Sequence, residues 1–112
     1  MNKTRFSLLN LAFLGIFFFS TLLAADLSEA KIKVSGSCGM CKKTIEKAAR
    51  AAGAEEANWD KETGILLVKY DPAKSDSEKI QKKISDSGYD TEKFKADDKV
   101  YNKLKKCCKY ER

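Results

Sequence analysis

The chain has 112 residues, with 22 Lys and Arg against 16 Asp and Glu for a formal charge of +6, no histidine and four cysteines. That length leaves room for one small domain with a modest core, and without histidine there is no imidazole base for neutral-pH catalysis. The basic residues are interleaved with acids, as in Lys42-Lys43 followed by Glu46 and in Glu78 followed by Lys82. They form no stripe and no aromatic stacking motif accompanies them, which excludes a nucleic-acid surface.

Lys3 and Arg5 precede a nearly unbroken apolar run over 6–25 that ends in Ala24 and Ala25. This reads as an export signal and places the protein in the periplasm or outside the cell. Leu23 fits the small-x-small cleavage rule poorly, and the run approaches the ~20 residues of a spanning helix, so an uncleaved membrane anchor is the alternative. The expected organisation is a signal or anchor at 1–25, a domain at 26–96 and a helical tail at 97–112.

Residues 31–36 alternate polar and apolar and predict a strand with Ile32 and Val34 inward. Residues 42–52 predict a helix with Ile45, Ala48, Ala49 and Ala52 on one face and Gly53 after its end. Ala57 and Trp59 mark a second short strand, 61–64 a turn, and 65–70 a third strand that stops at Asp71-Pro72. Ser75 followed by Glu78 has capping-box spacing, and Ile80 and Ile84 lie one turn apart in a helix over 76–87, closed by Gly88. Residues 91–96 read as a weaker fourth strand. The order βαββαβ predicts an α+β, ferredoxin-like sandwich, with both helices on one face of an antiparallel sheet. Its expected core is Ile32, Val34, Ile45, Ala49, Trp59, Leu66, Val68, Tyr70, Ile80, Ile84 and Phe94. Trp59 and Tyr70 fit the inward parity of their strands and are expected to be core rather than a ligand platform. Beyond it, Val100, Leu104, Cys107 and Cys108 recur at helical spacing, predicting a C-terminal helical extension over 97–110.

The cysteines fall into two close pairs. Cys38-Gly39-Met40-Cys41 sits between the first strand and the first helix, while Cys107 and Cys108 are adjacent. Adjacent cysteines bridge each other only with strain, so the pairs read as chelating groups rather than as structural disulfides.

The segment 34–89 resembles the heavy-metal-associated domains of copper chaperones, metal-transporting P-type ATPases and periplasmic mercury-binding proteins. The resemblance rests on Ser35-Gly36-Ser37-Cys38-Gly39-Met40-Cys41 in place of the family's G-M-T-C-x-x-C loop, Thr63-Gly64 in the hairpin, Tyr70-Asp71-Pro72 closing the third strand, and Gly88-Tyr89-Asp90 after the second helix. It implies that Cys38 and Cys41 are the metal-binding thiolates and that Tyr89, beside the loop, shapes the site, as Met40 within it would. At the family's core methionine, two residues before the first cysteine, this chain has Gly36, which implies a more mobile metal loop.

Two soft thiolates without histidine favour copper(I), with mercury(II) next; zinc, which usually takes four ligands, and cadmium are further candidates. The expected function is an exported, non-enzymatic chaperone or sequestering protein, monomeric when metal-free, whose partner is a metal-transporting ATPase or another metal-exchange protein. A membrane enters only through the N-terminal segment if it is uncleaved. A fourth strand of about six residues would carry the chain ~20 Å from the loop, and a returning helix would recover ~15 Å. Cys107 and Cys108 would then reach the loop as additional metal ligands, with Val100 and Leu104 docked on the outward-facing Ile65 and Leu67; otherwise they form a separate chelating tail or an intermolecular contact. The competing functions are a thiol-disulfide oxidoreductase using the C-x-x-C and a four-cysteine zinc module.

Overall fold

The computed structural model describes residues 26–112; the segment 1–25, expected to direct export or anchoring, lies outside the described residues. Among the described residues no helix is long and apolar enough to cross a membrane. The elements are β1 (Ser28–Lys33), α1 (Gly39–Ala51), β2 (Ala54–Trp59), β3 (Ile65–Tyr70), α2 (Ser77–Asp86), α3 (Asp98–Asn102) and a 3-10 turn at Lys106–Cys108.

The strands form one antiparallel sheet in the order β1-β3-β2. Ile32 and Trp59 flank Leu66, and Ala30 and Ala57 flank Val68, so one face of the sheet collects the apolar side chains. α1 packs on β2 and α2, and α2 also touches β1. Ala48 and Ala49 are buried beside Ile45, and these small residues let α1 approach closely, while Ile80 and Ile84 supply the buried face of α2. Each fully buried aliphatic side chain of this kind contributes about 1.5–3 kcal/mol. The expected ferredoxin-like α+β arrangement is present, with an open three-stranded sheet.

The fourth strand does not form. Val34 bridges to Thr91, and the Ser35 N–H to Asp90 carbonyl, Glu92 N–H to Lys33 carbonyl and Lys33 N–H to Glu92 carboxylate bonds join that segment to the end of β1 without extending a ladder. Other backbone donors of the segment turn to side chains: Thr91 Oγ1 accepts from the Phe94 N–H at 3.0 Å, the Asp90 carboxylate from the Ala96 N–H at 2.7 Å, and Gln81 of α2 from the Lys93 N–H at 3.1 Å. Such side-chain-to-backbone bonds compete with a sheet ladder and curl the chain. Phe94 is therefore only half-buried, as is Tyr70.

The capping box is also replaced. Asp76 caps α2 by accepting from the Lys79 N–H at 2.8 Å. Ser75 is buried instead and donates to the Ala52 carbonyl at 2.6 Å. It lies so near Gly53 (φ +110°) that a Cβ there would meet the Ser75 Cβ at 2.8 Å; only glycine suits both the turn and the contact.

The long tail helix is absent as well. A continuous helix would align Leu104 with Cys108 but point Tyr110 elsewhere, whereas the structure packs all three against the core. The chain manages this with the short α3, a break and the 3-10 turn. Leu104 lies over Gly88, where a Cβ would come within 3.0 Å of it, so the tail docks beside the loop after α2 rather than through Leu104 on Ile65 and Leu67.

Candidate metal centre

α1 begins earlier than its apolar periodicity predicts, at Gly39, with Cys38 in the N-cap position and Cys41 in the first turn. Cys41 is fully buried and Cys38 half-buried, and their Sγ atoms are 3.5 Å apart as free thiols. Below the loop the Trp59 indole fills the space at Gly36: a Cβ there would meet its ring at 2.8 and 2.9 Å. Trp59 Nε1 also donates to the Val34 carbonyl at 3.1 Å. The Trp59 indole of β2 thus packs beneath the loop at Gly36, a contact that the expectation of a more mobile loop does not include. Lys42 and Glu46 of α1, paired at 2.9 Å, bind the Trp59 backbone carbonyl and N–H, each at 2.9 Å, and tie the helix to the end of β2.

The tail brings Cys108 to this pair. Its Sγ lies 3.7 Å from that of Cys38, and the three sulfurs of Cys38, Cys41 and Cys108 all fall within 4.8 Å of one another. Cys107 is placed differently: its exposed thiol is 3.8 Å from Cys108 Sγ and 3.9 Å from Met40 Sδ, with both Met40 and Cys107 at the surface. Ser37 donates to the Cys107 carbonyl and lies 3.8 Å from Cys41 Sγ, so it joins the C-x-x-C loop to the tail. Tyr89, buried, stacks on Tyr110 with ring centroids 6.0 Å apart and backs the sulfur cluster.

A second set of contacts clamps the tail. The Tyr110 hydroxyl donates to the Gly88 carbonyl at 2.8 Å and accepts from the Asp90 N–H at 2.9 Å, while Tyr101 donates to the Tyr110 carbonyl. Tyr101 and Tyr110 pack edge to face at 5.0 Å. Arg112 grips both Asp90 oxygens at 3.0 and 3.2 Å, reaches Asp98 at 2.8 Å and the Ala96 carbonyl at 2.7 Å, and lies 4.5 Å from the centre of the Tyr101 ring. Sequence reasoning missed Ser37, Tyr101, Tyr110 and Arg112, because each acts on a residue far away in the chain and none belongs to a periodic face.

The thiols are electrostatically unlike. The Cys41 backbone N–H at the mouth of α1, outweighing the cost of burial, lowers Cys38 to about 6, with smaller help from the Cys41 thiol and the Met40 N–H. Burial, reinforced by the neighbouring Cys41 thiol, pushes Cys108 up to about 12. Burial and then the adjacent Cys108 also raise Tyr89, which stays a neutral phenol. The cluster therefore offers the Cys38 thiolate at neutral pH beside the protonated Cys108 thiol, whose proton a soft cation can displace.

A comparison with curated proteins returned no significant match. Among solved structures, the CopZ metallochaperone is 35% identical with a TM-score of 0.54, covering 57% of this chain and 98% of its own. Oxidized MerP from Ralstonia metallidurans CH34 is 28% identical with a TM-score of 0.55, covering 59% of this chain and 94% of its own. The water-soluble region of the P-type ATPase CopA from Bacillus subtilis is 34% identical with a TM-score of 0.56, covering 62% of this chain and 47% of its own. The heavy-metal-associated domain model matches residues 31–90, more than half of the chain, and the protein is accordingly a member of the heavy-metal-associated domain family.

Proposed function

We propose that this protein is a soft-metal carrier of the cell envelope that binds copper(I) through Cys38 and Cys41 and passes it on by thiolate exchange. The observation that carries this reading is the pair of Sγ atoms 3.5 Å apart at the mouth of α1, one half-buried and held as a thiolate, the other at the core. A half-buried first thiolate can receive or surrender an ion one sulfur at a time, while the buried one holds it. A metal-transporting ATPase domain or another cysteine-bearing exchange protein is the matching partner, and the likeness to CopZ and to the CopA soluble region supports that choice. The likeness to MerP makes mercury(II) the second candidate cargo. The apolar segment 1–25 supports export, with cleavage or anchoring following from it. In an oxidising compartment the two thiols would need a reductant before binding.

The test is a titration of the reduced full-length chain with copper(I) against a competing chelator, repeated with zinc, in wild type and in a Cys38→Ser, Cys41→Ser double variant. Tight copper binding that the double variant loses is expected. Failure to bind any soft metal alongside reversible disulfide chemistry would transfer the assignment to a redox protein.

A further inference from the structure

We propose that Cys108 is a third metal ligand, so that this chain holds its ion in a three-thiolate site built from both ends of the domain. The inference rests on the soft-metal reading above and extends it to a residue outside the matched region, which ends at residue 90.

The geometry carries it. A metal–thiolate bond is about 2.3 Å, so two sulfurs in a linear site lie about 4.6 Å apart and three in a trigonal plane about 4.0 Å apart. The three sulfurs here lie within 4.8 Å of one another, with two separations of 3.5 and 3.7 Å. Opening the 3.5 and 3.7 Å separations by a few tenths of an ångström matches the sulfur spacing of a trigonal site. Cys108 is buried against the core, and the residues on either side of it are fastened: the Cys107 carbonyl by Ser37, and Tyr110 by Gly88 and Asp90. The Arg112 grip on Asp90 closes the turn from beyond. This places Cys108 by folding before any ion arrives.

The adjacent thiol is not equivalent. Cys107 is exposed and turned toward Met40, outside the three-sulfur group. Binding forms three metal–sulfur bonds, the Cys38 thiolate entering as it stands and any thiol proton passing to solvent, and involves no change of oxidation state. A third thiolate raises affinity and slows release relative to a two-thiolate site, which favours ions that accept trigonal coordination, copper(I) and mercury(II), over zinc with its preference for four donors.

X-ray absorption on the full-length reduced chain loaded with one equivalent of copper(I), and separately of mercury(II), counts the sulfurs directly. Three sulfurs are expected in wild type and in Cys107→Ser, and two in Cys108→Ser, with affinity reduced at least tenfold in the latter alone. Circular dichroism of Cys108→Ser establishes that the fold survives, and Cys108→Ala, which keeps the position small and apolar, repeats the count. A wild-type protein that binds one ion with two sulfurs, or a Cys108→Ser affinity equal to wild type, overturns the third ligand and leaves the carrier reading intact. Absence of any soft-metal binding overturns both.

Discussion

The two halves of the sulfur cluster are held by different physics. Cys38 and Cys41 ride on a helix whose apolar face, Ile45 and Ala49, is embedded in the core, so their position is as secure as the domain itself. Cys108 sits on a short segment that reaches the same core through Leu104 and Tyr110 and is fastened there by a phenol, a guanidinium and a few carbonyls. A site assembled this way has a stable wall and a hinged one, and local opening of the second need not unfold the first.

The largest effects should come from attacking the stable wall at Trp59. Trp59→Ala removes the indole beneath the metal loop and the 3.1 Å bond to the Val34 carbonyl, at an expected cost of about 3–5 kcal/mol. Thermal unfolding should show a fall in Tm of more than ~10 °C; a fall of only a degree or two would mean that the loop carries itself. Gly36→Ala attacks the same contact from the other side, since the new methyl would press on the indole at 2.8 Å and on Ile45 Cδ1 at 3.2 Å. Overpacking of this kind should cost about 1–3 kcal/mol. Were Gly36→Ala neutral in the same melt, the indole would have room to move and the support assigned to it would be wrong.

The hinged wall should respond to smaller changes, and locally. Tyr110→Phe keeps the ring stack on Tyr89 but orphans the Gly88 carbonyl and the Asp90 N–H, a loss of about 1–3 kcal/mol. Hydrogen exchange should quicken at residues 104–112 while the amides of β3 stay protected; equal loss of protection in both would deny the tail any independence. The Asp90–Arg112 pair makes the same hinge pH-sensitive. Burial acts to raise the Asp90 carboxyl but is outweighed by hydrogen bonds from Arg112 and the Ala96 N–H, which hold it below the usual range. A carboxyl lowered by folding stabilises the folded tail fully above its unfolded value, about 3.9, and that contribution disappears as pH falls through the lower folded value. NMR signals of Tyr110 and Arg112 should therefore report tail release below about pH 4, and Arg112→Ala should weaken the docking already at neutral pH and flatten that dependence.

The contrast between the walls is also a contrast in what pattern can reveal. Ile32, Leu66 and Val68 alternate, and Ile45, Ala49, Ile80 and Ile84 recur at helical spacing, because each must face one core. The C-x-x-C was legible for the same reason, being placed by those elements. Cys108 was legible only as a candidate, and the expected route to it, out along a fourth strand and back along a helix, was wrong. Asp90 and Thr91 turn the chain at once by bonding their own neighbours' N–H groups, so the tail starts near the loop and has no long distance to recover. Its fixing groups, Tyr110 and Arg112, act on Gly88 and Asp90 about twenty residues earlier, and such pairings leave no period in a single sequence.

The smallest expected effect lies inside the motif and sharpens the comparison from within the stable wall. Gly39 opens α1, has no positive φ, and a Cβ built on it meets nothing within 4 Å. Glycine there restricts neither packing nor backbone, and it leaves the unfolded chain freer than alanine would. Gly39→Ala should therefore stabilise the domain by about 0.4–1 kcal/mol, read as a Tm rise of a few degrees, with the Cys38–Cys41 separation and metal affinity unchanged. A loss of affinity without a loss of stability would mean that the loop must flex at Gly39 to take or release its ion. The stable wall would then carry a hinge of its own, at the point where Cys38 passes from β-like backbone into the helix.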